Sequence, residues 1–429
     1  GRRMRAPLLR RGAGAGAAKP RAPAEPGSSM ARSIINVTKN ILGVGMLSLP
    51  SGVAAGTGIV PAICLTVLLG MHSGWTFSLF GRACESTGAS DIRGLGLAAS
   101  GHRLARAMDW VCTLRTSFAC LAFSIVMADS FTAILSSAGL PVARNVALGA
   151  LSALVLLPLC CLRDLSALAY TSLLGLAGIC YTTAFIVLRF FDGSYAAGGR
   201  YFVGAGAGAS AVVPGGPWAV TPSTLVLVCA LSTAISAHYN APRYWSQLRS
   251  RSVGRFNRVV SVSFGIAVVL CVTAMSAGFL TFGAQTRGNV LNNYSTSDPL
   301  ATIARLSVAC SVVCTYPLAF TGLRDGVMSL LEVTSSRRNH LLTTLILLSA
   351  ITVSALVLKN VAFVVNLGGA IFGALIVYIF PSVLFLRTTP RASGAERRAA
   401  RATVCAGVLL AVAGTAVAVV QEFAPRRLR

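Results

Sequence analysis

Eleven apolar stretches follow one another along the 429-residue chain, each close to the length that crosses a bilayer. A membrane-spanning helix needs about 20 mostly apolar residues. The pattern therefore predicts an all-α integral membrane protein with about eleven transmembrane helices. The predicted spans are 30–55, 58–81, 108–137, 143–162, 166–191, 220–247, 257–282, 298–330, 339–358, 361–386 and 400–421.

The first predicted span carries its own interruption. Gly43, Val44 and Gly45 lie midway along it, and Pro50 follows. Glycine and proline both weaken a helix, so we expect two half-helices. A break at this depth is tolerated only against protein or a water-filled cavity, because unpaired backbone groups cannot face lipid. The pattern indicates a binding site near the middle of the membrane.

The sixth predicted span is interrupted as well. Polar residues and a proline break it between Ser236 and Pro242. The sixth span follows the first by five positions, which is the spacing of a pair of five-span repeats with breaks in corresponding positions. The eleventh span is then an appendage to a five-plus-five arrangement.

Composition and charge placement support a membrane protein and orient it. The chain is 55% hydrophobic and only 11% charged, although its formal net charge is +25. The basic residues lie almost entirely between the apolar spans, which argues against nucleic acid as a partner. With the N-terminus in the cytosol, 26 of the 37 Lys and Arg fall on the inside and eight on the outside. The positive-inside rule therefore predicts a cytosolic N-terminus.

The segments outside the spans give further predictions. Residues 1–29 are expected to form a disordered, basic cytosolic tail, 30–421 the transmembrane transport domain, and 422–429 a short C-terminal tail. We expect 198–218, rich in glycine and proline, to be a flexible outside loop, and 89–104 to contain a short interfacial helix. Asn293, Tyr294 and Ser295 form a glycosylation acceptor triplet in an outside loop.

The chain carries no motif that indicates an enzyme or a metal centre. Its twelve cysteines stand mostly alone inside apolar runs, without C-x-x-C spacing, and read as small buried hydrophobes. Hydrolase, zinc-protease and P-loop patterns are absent from the sequence. We therefore predict no enzymatic activity, no cofactor and no bound metal, apart from a coupling ion.

Four segments in the corresponding spans resemble the amino acid/auxin permease family, and most closely its branch of sodium-coupled neutral amino acid transporters. In the first span these are Asn36-Val37-Thr38 and Gly43-Val44-Gly45-Met46-Leu47. The others are Pro158 to Leu165 with Tyr170-Thr171-Ser172, His238-Tyr239-Asn240-Ala241-Pro242 with Gln247-Leu248, and Thr315-Tyr316-Pro317 with Arg324-Asp325. The resemblance implies an inverted-repeat fold, alternating access and cation-driven transport of amino acids, with neutral ones as the expected substrates, by a monomeric unit.

The resemblance also implies a substrate site at the two breaks. The amides of Gly43, Val44 and Gly45 would hold the substrate carboxylate, since free N–H groups at a helix N-terminus favour an anion. The alternative is that these small residues only let helices pack closely. Ser236, Ala237 and His238 lie where the sixth span of the family unwinds around the substrate. His238 either has a role in proton transfer or is a neutral, hydrogen-bonded ring that positions the break.

The coupling ion is open between H⁺ and Na⁺. Thr315 matches a threonine of the Na⁺ site in the sodium-coupled branch, or else it bonds its own helix carbonyl. Lys39 departs from that branch and resembles the proton-coupled permeases, so we favour H⁺, with Lys39 as a titrating group or a fixed substitute for the cation. Alternatively, Lys39 extends to the interface. Asn36 and Asn40 are its expected hydrogen-bond partners.

Three other charges fall inside predicted spans. Arg115, Asp129 and Arg305 are each within reach of an interface, and we expect them to extend towards it. Two alternatives to a transporter of amino acids are compatible with the sequence: a transporter-like amino acid sensor, and a carrier of a different solute. The plasma membrane and a vacuolar or other internal membrane are both compatible with the sequence.

Overall fold

The computed structural model describes residues 27–162, 171–202, 215–334 and 336–424. Its regular structure in these ranges is helical, apart from two isolated bridges between single residue pairs. The helices, in chain order, are α1 Met30–Ile41, α2 Val44–Ala54, α3 Ile59–Thr87, α4 Ile92–Ser100, α5 His102–Ser137, α6 Arg144–Cys161, α7 Thr171–Phe191, α8 Thr224–Ala234, α9 Ala241–Gln247, α10 Val253–Phe282, α11 Pro299–Leu330, α12 Arg337–Val357, α13 Val361–Thr388 and α14 Gly394–Phe423.

Eleven spans follow from these helices. Within the described ranges, nine single helices and the α8–α9 pair are long and apolar enough to cross a membrane. The shorter α1 and α2 together make the first span. The prediction of about eleven spans, with breaks in the first and sixth, is confirmed. The spans are 1 (α1, α2), 2 (α3), 3 (α5), 4 (α6), 5 (α7), 6 (α8, α9), 7 (α10), 8 (α11), 9 (α12), 10 (α13) and 11 (α14).

Corresponding spans of the two halves make corresponding contacts. The most extensive helix contacts join span 3 to span 8 and span 2 to span 7. Span 1 packs on span 7 as span 6 packs on span 2, and span 5 packs on span 8 as span 10 packs on span 3. Because five is an odd number, the second half enters the membrane from the opposite side. The contacts are those of a five-plus-five inverted repeat.

The break in span 1 is held by two glycines with different surroundings. The Ser29 side chain caps α1 by accepting a hydrogen bond from the Arg32 N–H, and α1 ends at Ile41. Gly43 is extended, with φ −136° and ψ −166°, and a single 3₁₀ turn from Val44 begins α2. A Cβ on Gly45 would lie 3.1 Å from the Cα of Ala234 in span 6. Glycine at this position lets the two breaks cross in contact.

The break in span 6 follows from local chemistry. α8 ends at Ala234, and Ile235 and Ala237 have non-helical backbone angles. The Asn240 N–H then bonds the Ala237 carbonyl at 3.0 Å in a short 3₁₀ turn. Pro242 lies in the first turn of α9, where its missing N–H costs no helical hydrogen bond.

Span 11 is attached to the transport domain by an ion pair. Glu396, in the first turn of α14, lies 2.5 Å from a guanidinium nitrogen of Arg82 in span 2. Ser393 and Glu396 also form a reciprocal capping box at the start of α14. The helix packs mainly along span 10 and also touches span 6. The arrangement agrees with a span added to a five-plus-five core.

Two of the charges expected to extend to an interface are bound inside the protein instead. Asp129 lies 2.7 Å from Arg144 Nε, and its other oxygen accepts a hydrogen bond from Asn292. Arg305 is 2% exposed and donates to the carbonyls of Tyr294, Leu291 and Ser295. The expectation was wrong for both, because connecting segments fold back over the span ends and supply internal partners.

Of the predictions for tails, loops and short helices outside the spans, one is confirmed and the others lie partly or wholly outside the described residues. α4 confirms a short helix within 89–104, begun by Asp91, whose side chain accepts a hydrogen bond from the Gly94 N–H at 2.7 Å. Residues 1–26 of the predicted tail and the end of the chain from residue 425 lie outside the described residues. So do residues 203–214 of the predicted loop, and residues 163–165 and 170 of the second motif.

Candidate functional site

A cavity of about 800 Å³ lies where the two breaks meet, within the range usual for small-molecule sites, roughly 300–1,000 Å³. Spans 1, 3, 5, 6, 8 and 10 line it. It reaches Leu47 and Val308 at one end, and Arg93, Asp109 and Ser329 at the other. The latter end lies on the side of the membrane where α1 begins. We call it the mouth of the cavity.

The first break presents free backbone to this cavity. Gly43 is exposed, and a Cβ built on it would meet no atom within 4 Å. The Met46 N–H bonds the Gly43 carbonyl at 3.2 Å, whereas the amides that open a helix have no acceptor within it. Gly43, Val44 and Gly45 all line the cavity. The space at Gly43 fits a ligand approaching the backbone, and the tight contact of Gly45 fits helix packing.

The second break contributes Ser236 but not the two residues after it. The side chain of Ser236 lines the cavity beside Tyr239 and Asn240, whereas Ala237 and His238 do not line it. Ala237 and His238 are both fully buried. The sequence placed these two at the substrate, and the structure places them behind the cavity wall.

The ring of His238 faces span 2. Its Nε2 lies 3.0 Å from the Ser73 carbonyl and 3.0 Å from Thr76 Oγ1. A carbonyl can only accept, so the proton is assigned to Nε2, and Nδ1 is buried without a hydrogen-bond partner among the described residues. Phe77 packs edge-on against the ring, at 5.3 Å between centroids. The geometry suits a neutral ring that fixes the break against span 2.

Lys39 reaches across the cavity to span 8. Its Nζ donates to Thr315 Oγ1 at 2.8 Å, and Thr315 Oγ1 donates to the Ser311 carbonyl at 2.7 Å. Gly175 of span 5 leaves room for the lysine stem, since a Cβ there would lie 3.0 Å from Lys39 Cε. The amino group of Lys39 therefore lies between spans 1, 5 and 8, within a few residues of the Gly43 break.

Asn36 and Asn40 make their hydrogen bonds to α9. The backbone carbonyl of Asn36 accepts a hydrogen bond from the Tyr244 hydroxyl at 3.3 Å, and the side-chain Oδ1 of Asn40 accepts one from Asn240 Nδ2 at 3.4 Å. The hydrogen bond of Lys39 goes to Thr315. Both asparagines line the cavity, but they join the two half-helices α1 and α9 instead of holding the ammonium.

The comparison with known families decides the class of protein. Residues 26–420 match the family described as transmembrane amino acid transporter protein, which is nearly the whole chain. The chain belongs to this family. The resemblance found in the four sequence motifs is thereby confirmed.

Two members of this transporter family resemble the chain over most of its length. "Putative sodium-coupled neutral amino acid transporter 11" of Danio rerio is 24% identical over 400 residues, covering 90% of this chain and 85% of the relative. Vacuolar amino acid transporter 2 of Saccharomyces cerevisiae is 24% identical over 405 residues, with 90% and 82% covered. Both are named as membrane transporters and not as enzymes, and the chain is a multi-pass membrane protein of their kind.

A solved structure supports the fold. The manganese transporter of Eremococcus coleocola superposes with a TM-score of 0.56 at 15% identity, covering 92% of this chain and 87% of the other. At this identity the likeness concerns the path of the chain only. It agrees with the inverted repeat derived from the helix contacts.

Arg115 is a cavity residue of this transporter that sequence reasoning missed. It lies on span 3, where we expected it to extend to an interface, and that expectation was wrong. Its guanidinium lies over the ring of Tyr239, 4.6 Å from the centroid, and Nη2 lies 3.4 Å from both the carbonyl and the hydroxyl of Ser236. The open carbonyl of the second break and the face of Tyr239 attract the cation into the cavity. Their position beside span 3 cannot be read from the sequence.

The apolar part of the cavity lies on spans 3 and 10. Phe118 and Phe372 pack edge to face, with centroids 5.0 Å apart. Both line the cavity together with Val312 and Val365. Apolar walls with a few convergent polar groups are the usual make-up of a small-molecule site.

The predicted glycosylation triplet is built into a folded connection. Asn293 Nδ2 donates to the Gln285 carbonyl at 2.9 Å, and Asn293 Oδ1 accepts from the Arg287 N–H at 2.8 Å. Tyr294 is 3% exposed, and the Ser295 N–H bonds the Tyr195 hydroxyl. The amide that a glycan would modify is thus already used to hold the connection between α10 and α11.

Proposed function

We propose that this protein is a secondary active transporter that moves amino acids by alternating access and couples their movement to H⁺. Membership of the amino acid transporter family gives the general class. The observation that carries the finer proposal is the 2.8 Å hydrogen bond from Lys39 Nζ to Thr315 Oγ1 beside the first break.

The substrate backbone would bind between the two breaks. The amides of Gly43, Val44 and Gly45 are at the N-terminal end of α2, where the helix dipole and free N–H groups favour a carboxylate. The substrate ammonium would donate a hydrogen bond to the Ser236 carbonyl on the opposite wall of the cavity. Gly43 supports this placement because the space beside it is open.

The ammonium of Lys39 favours H⁺ over Na⁺. A Na⁺ ion held by the Thr315 hydroxyl would lie within a few ångströms of Nζ, and two unit charges that close repel strongly in a medium of low polarity. Lys39 makes no ion pair with a carboxylate in the described part of the chain. We propose that its charge stands where the cation stands in sodium-coupled relatives, and that loss and gain of its proton drives the cycle.

The hydrogen bonds between α1 and α9 support a coordinated movement. Tyr244 and Asn240 join α9 to Asn36 and Asn40 of α1. The two half-helices lie on the mouth side of their breaks and are expected to move together when that side closes. We propose that the mouth side is cytosolic, as the placement of the basic residues predicts.

A reconstitution experiment tests the proposal. The protein is placed in liposomes, and uptake of a mixture of labelled amino acids is followed under a pH gradient alone and under a Na⁺ gradient alone. We expect uptake with the pH gradient, and its loss in Lys39→Ala. Lys359→Ala is the matched control, because Lys359 is exposed and does not line the cavity.

Other outcomes separate the alternatives. Uptake driven by Na⁺ and not by the pH gradient would contradict H⁺ coupling and would make Thr315 the centre of an ion site. Binding of amino acids without uptake under either gradient would favour the sensor. Neither binding nor uptake of any amino acid would favour a carrier of a different solute.

A further inference from the structure

Among the described residues, the inner part of the cavity has two basic side chains, Lys39 and Arg115, and no carboxylate to balance them. Of the residues lining the cavity, four are basic, Lys39, Arg93, Arg115 and Arg243, and one is acidic, Asp109. Asp109 is paired at the mouth with Arg93, at 3.3 Å. Lys39 and Arg115, farther in, make no ion pair with a carboxylate in the described residues. The lining of the cavity therefore carries unbalanced positive charge.

Arg115 is held in place by weak contacts that another group can replace. Its Nη2 is 3.4 Å from each of the two oxygens of Ser236, longer than the 2.7–2.9 Å of a hydrogen bond between a guanidinium and a carboxylate. The Tyr239 ring supports one face of the guanidinium. Most of its donors are left without a partner in the described residues. A planar guanidinium with free donors is suited to a carboxylate, which it binds through two parallel hydrogen bonds.

The charge balance of the ligand then matters. An amino acid with a neutral side chain brings one carboxylate and one ammonium, and leaves the excess positive charge of the cavity in place. An amino acid with a side-chain carboxylate brings one more negative charge. One with a basic side chain adds a third cation to a site of low polarity, where like charges repel strongly.

We propose that Arg115 selects amino acids with a side-chain carboxylate, so that the transporter prefers dicarboxylic amino acids to neutral ones and rejects basic ones. This inference rests on the proposed function, since it names the substrate class of the same site. It replaces the neutral preference implied by the family resemblance. In the bound state the side-chain carboxylate of the substrate accepts hydrogen bonds from the guanidinium of Arg115.

The contact between Arg115 and Ser236 implies an exchange of hydrogen-bond partners when the substrate binds. Arg115 donates to the Ser236 carbonyl at 3.4 Å, and this carbonyl is the acceptor assigned to the substrate ammonium. When the side-chain carboxylate draws the guanidinium away, that carbonyl becomes free for the ammonium. A neutral substrate does not draw Arg115 from Ser236, and its ammonium competes with the guanidinium for one acceptor.

The test compares substrates that differ in one group. Uptake of labelled glutamate, glutamine, leucine and lysine is measured in liposomes under the same pH gradient, for the wild type, Arg115→Gln and Arg115→Lys. Arg103→Gln is the matched control, because Arg103 is an exposed arginine of the same helix outside the cavity. Thermal stabilisation of the detergent-solubilised protein by each amino acid gives a second readout that does not depend on transport.

We expect wild-type kcat/KM for glutamate to exceed that for glutamine by about tenfold, as one charge-assisted pair in place of a neutral contact provides. Arg115→Gln should abolish this ratio by lowering the uptake of glutamate and raising that of glutamine, whose ammonium then has no guanidinium to compete with for the Ser236 carbonyl. Arg115→Lys should keep part of the ratio. An unchanged ratio in Arg115→Gln, or a wild type that prefers leucine or glutamine, overturns the inference and leaves the proposed function standing. If no amino acid is taken up or stabilises the protein, both fall.

Discussion

The Nζ atom of Lys39 lies 2.8 Å from Thr315 Oγ1, and this bond ties the first span of one repeat to the third span of the other. Thr315 Oγ1 donates its own hydrogen bond to the Ser311 carbonyl, one turn earlier in the same helix. The Thr315 hydroxyl therefore acts towards Lys39 only as a hydrogen-bond acceptor. Lys39 has no carboxylate partner among the described residues, so the hydrogen bond to Thr315 is the polar contact that positions Nζ.

Removing that hydroxyl should weaken coupling without unfolding the protein. Thr315→Val keeps the shape of the side chain and removes the acceptor of Nζ. A hydrogen bond to a charged group contributes about 1.5–3 kcal/mol, so we expect proton-driven uptake to fall by about tenfold or more. Thr302→Val is the control, because Thr302 also bonds a carbonyl one turn back in the same helix but does not line the cavity. Equal loss in both variants would contradict a special role for Thr315.

The two glycines of the first break should respond differently to alanine. A Cβ on Gly43 meets open space, whereas a Cβ on Gly45 meets the backbone of Ala234 at 3.1 Å. We expect Gly43→Ala to keep the wild-type melting temperature and raise KM, because the methyl group intrudes on the carboxylate site. Gly45→Ala should lower stability by about 1–3 kcal/mol through overpacking. Thermal unfolding in detergent and uptake kinetics measure the two effects, and a stability loss confined to Gly43→Ala would reverse the assignment.

The number of spans and the positions of both breaks were predictable, because apolar length and the interruptions at Gly43 and Pro242 are local properties of the sequence. The residues that surround the cavity were predictable only in part. Lys39 and Thr315 were proposed for one ion site from separate motifs, and the structure brings them into contact. That the resemblance placed them together reflects the family fold and not their spacing.

The direction of side chains at the second break could not be predicted. His238 follows Ser236 by two residues in a non-helical segment, where neither a helical nor a strand period tells which way a side chain points. Its ring faces Ser73 and Thr76 of span 2, while Ser236 faces the cavity. The position of Arg115 in the cavity could not be predicted either, because its partners Ser236 and Tyr239 lie more than a hundred residues away in the sequence.

The side of the molecule opposite the mouth should be sensitive to loss of one carboxylate. Asp298 is fully buried, accepts two hydrogen bonds from Arg189 at 2.7 and 2.9 Å, and caps the start of α11. Removing one partner of a buried ion pair typically costs 3–5 kcal/mol, so we expect Asp298→Asn to lower the melting temperature markedly. Asp325→Asn is the control, because the side chain of Asp325 is 64% exposed. Similar melting temperatures for the two variants would contradict this prediction.

Replacing His238 should change stability and not the pH dependence of transport. The ring is fully buried and its Nε2 proton is bonded to the Ser73 carbonyl. His238→Leu removes one of the donors to that carbonyl, which also accepts from Thr76 Oγ1 at 3.1 Å. Loss of one hydrogen bond costs about 0.5–1.5 kcal/mol, and His238→Gln should restore part of it by supplying an amide N–H. His102→Gln, at the exposed start of α5, is the control. We expect the pH profile of uptake to be the same in all four proteins, measured at temperatures where each is folded. A shifted pH profile in His238→Gln at wild-type stability would assign the histidine to proton transfer, and would move the coupling role away from Lys39.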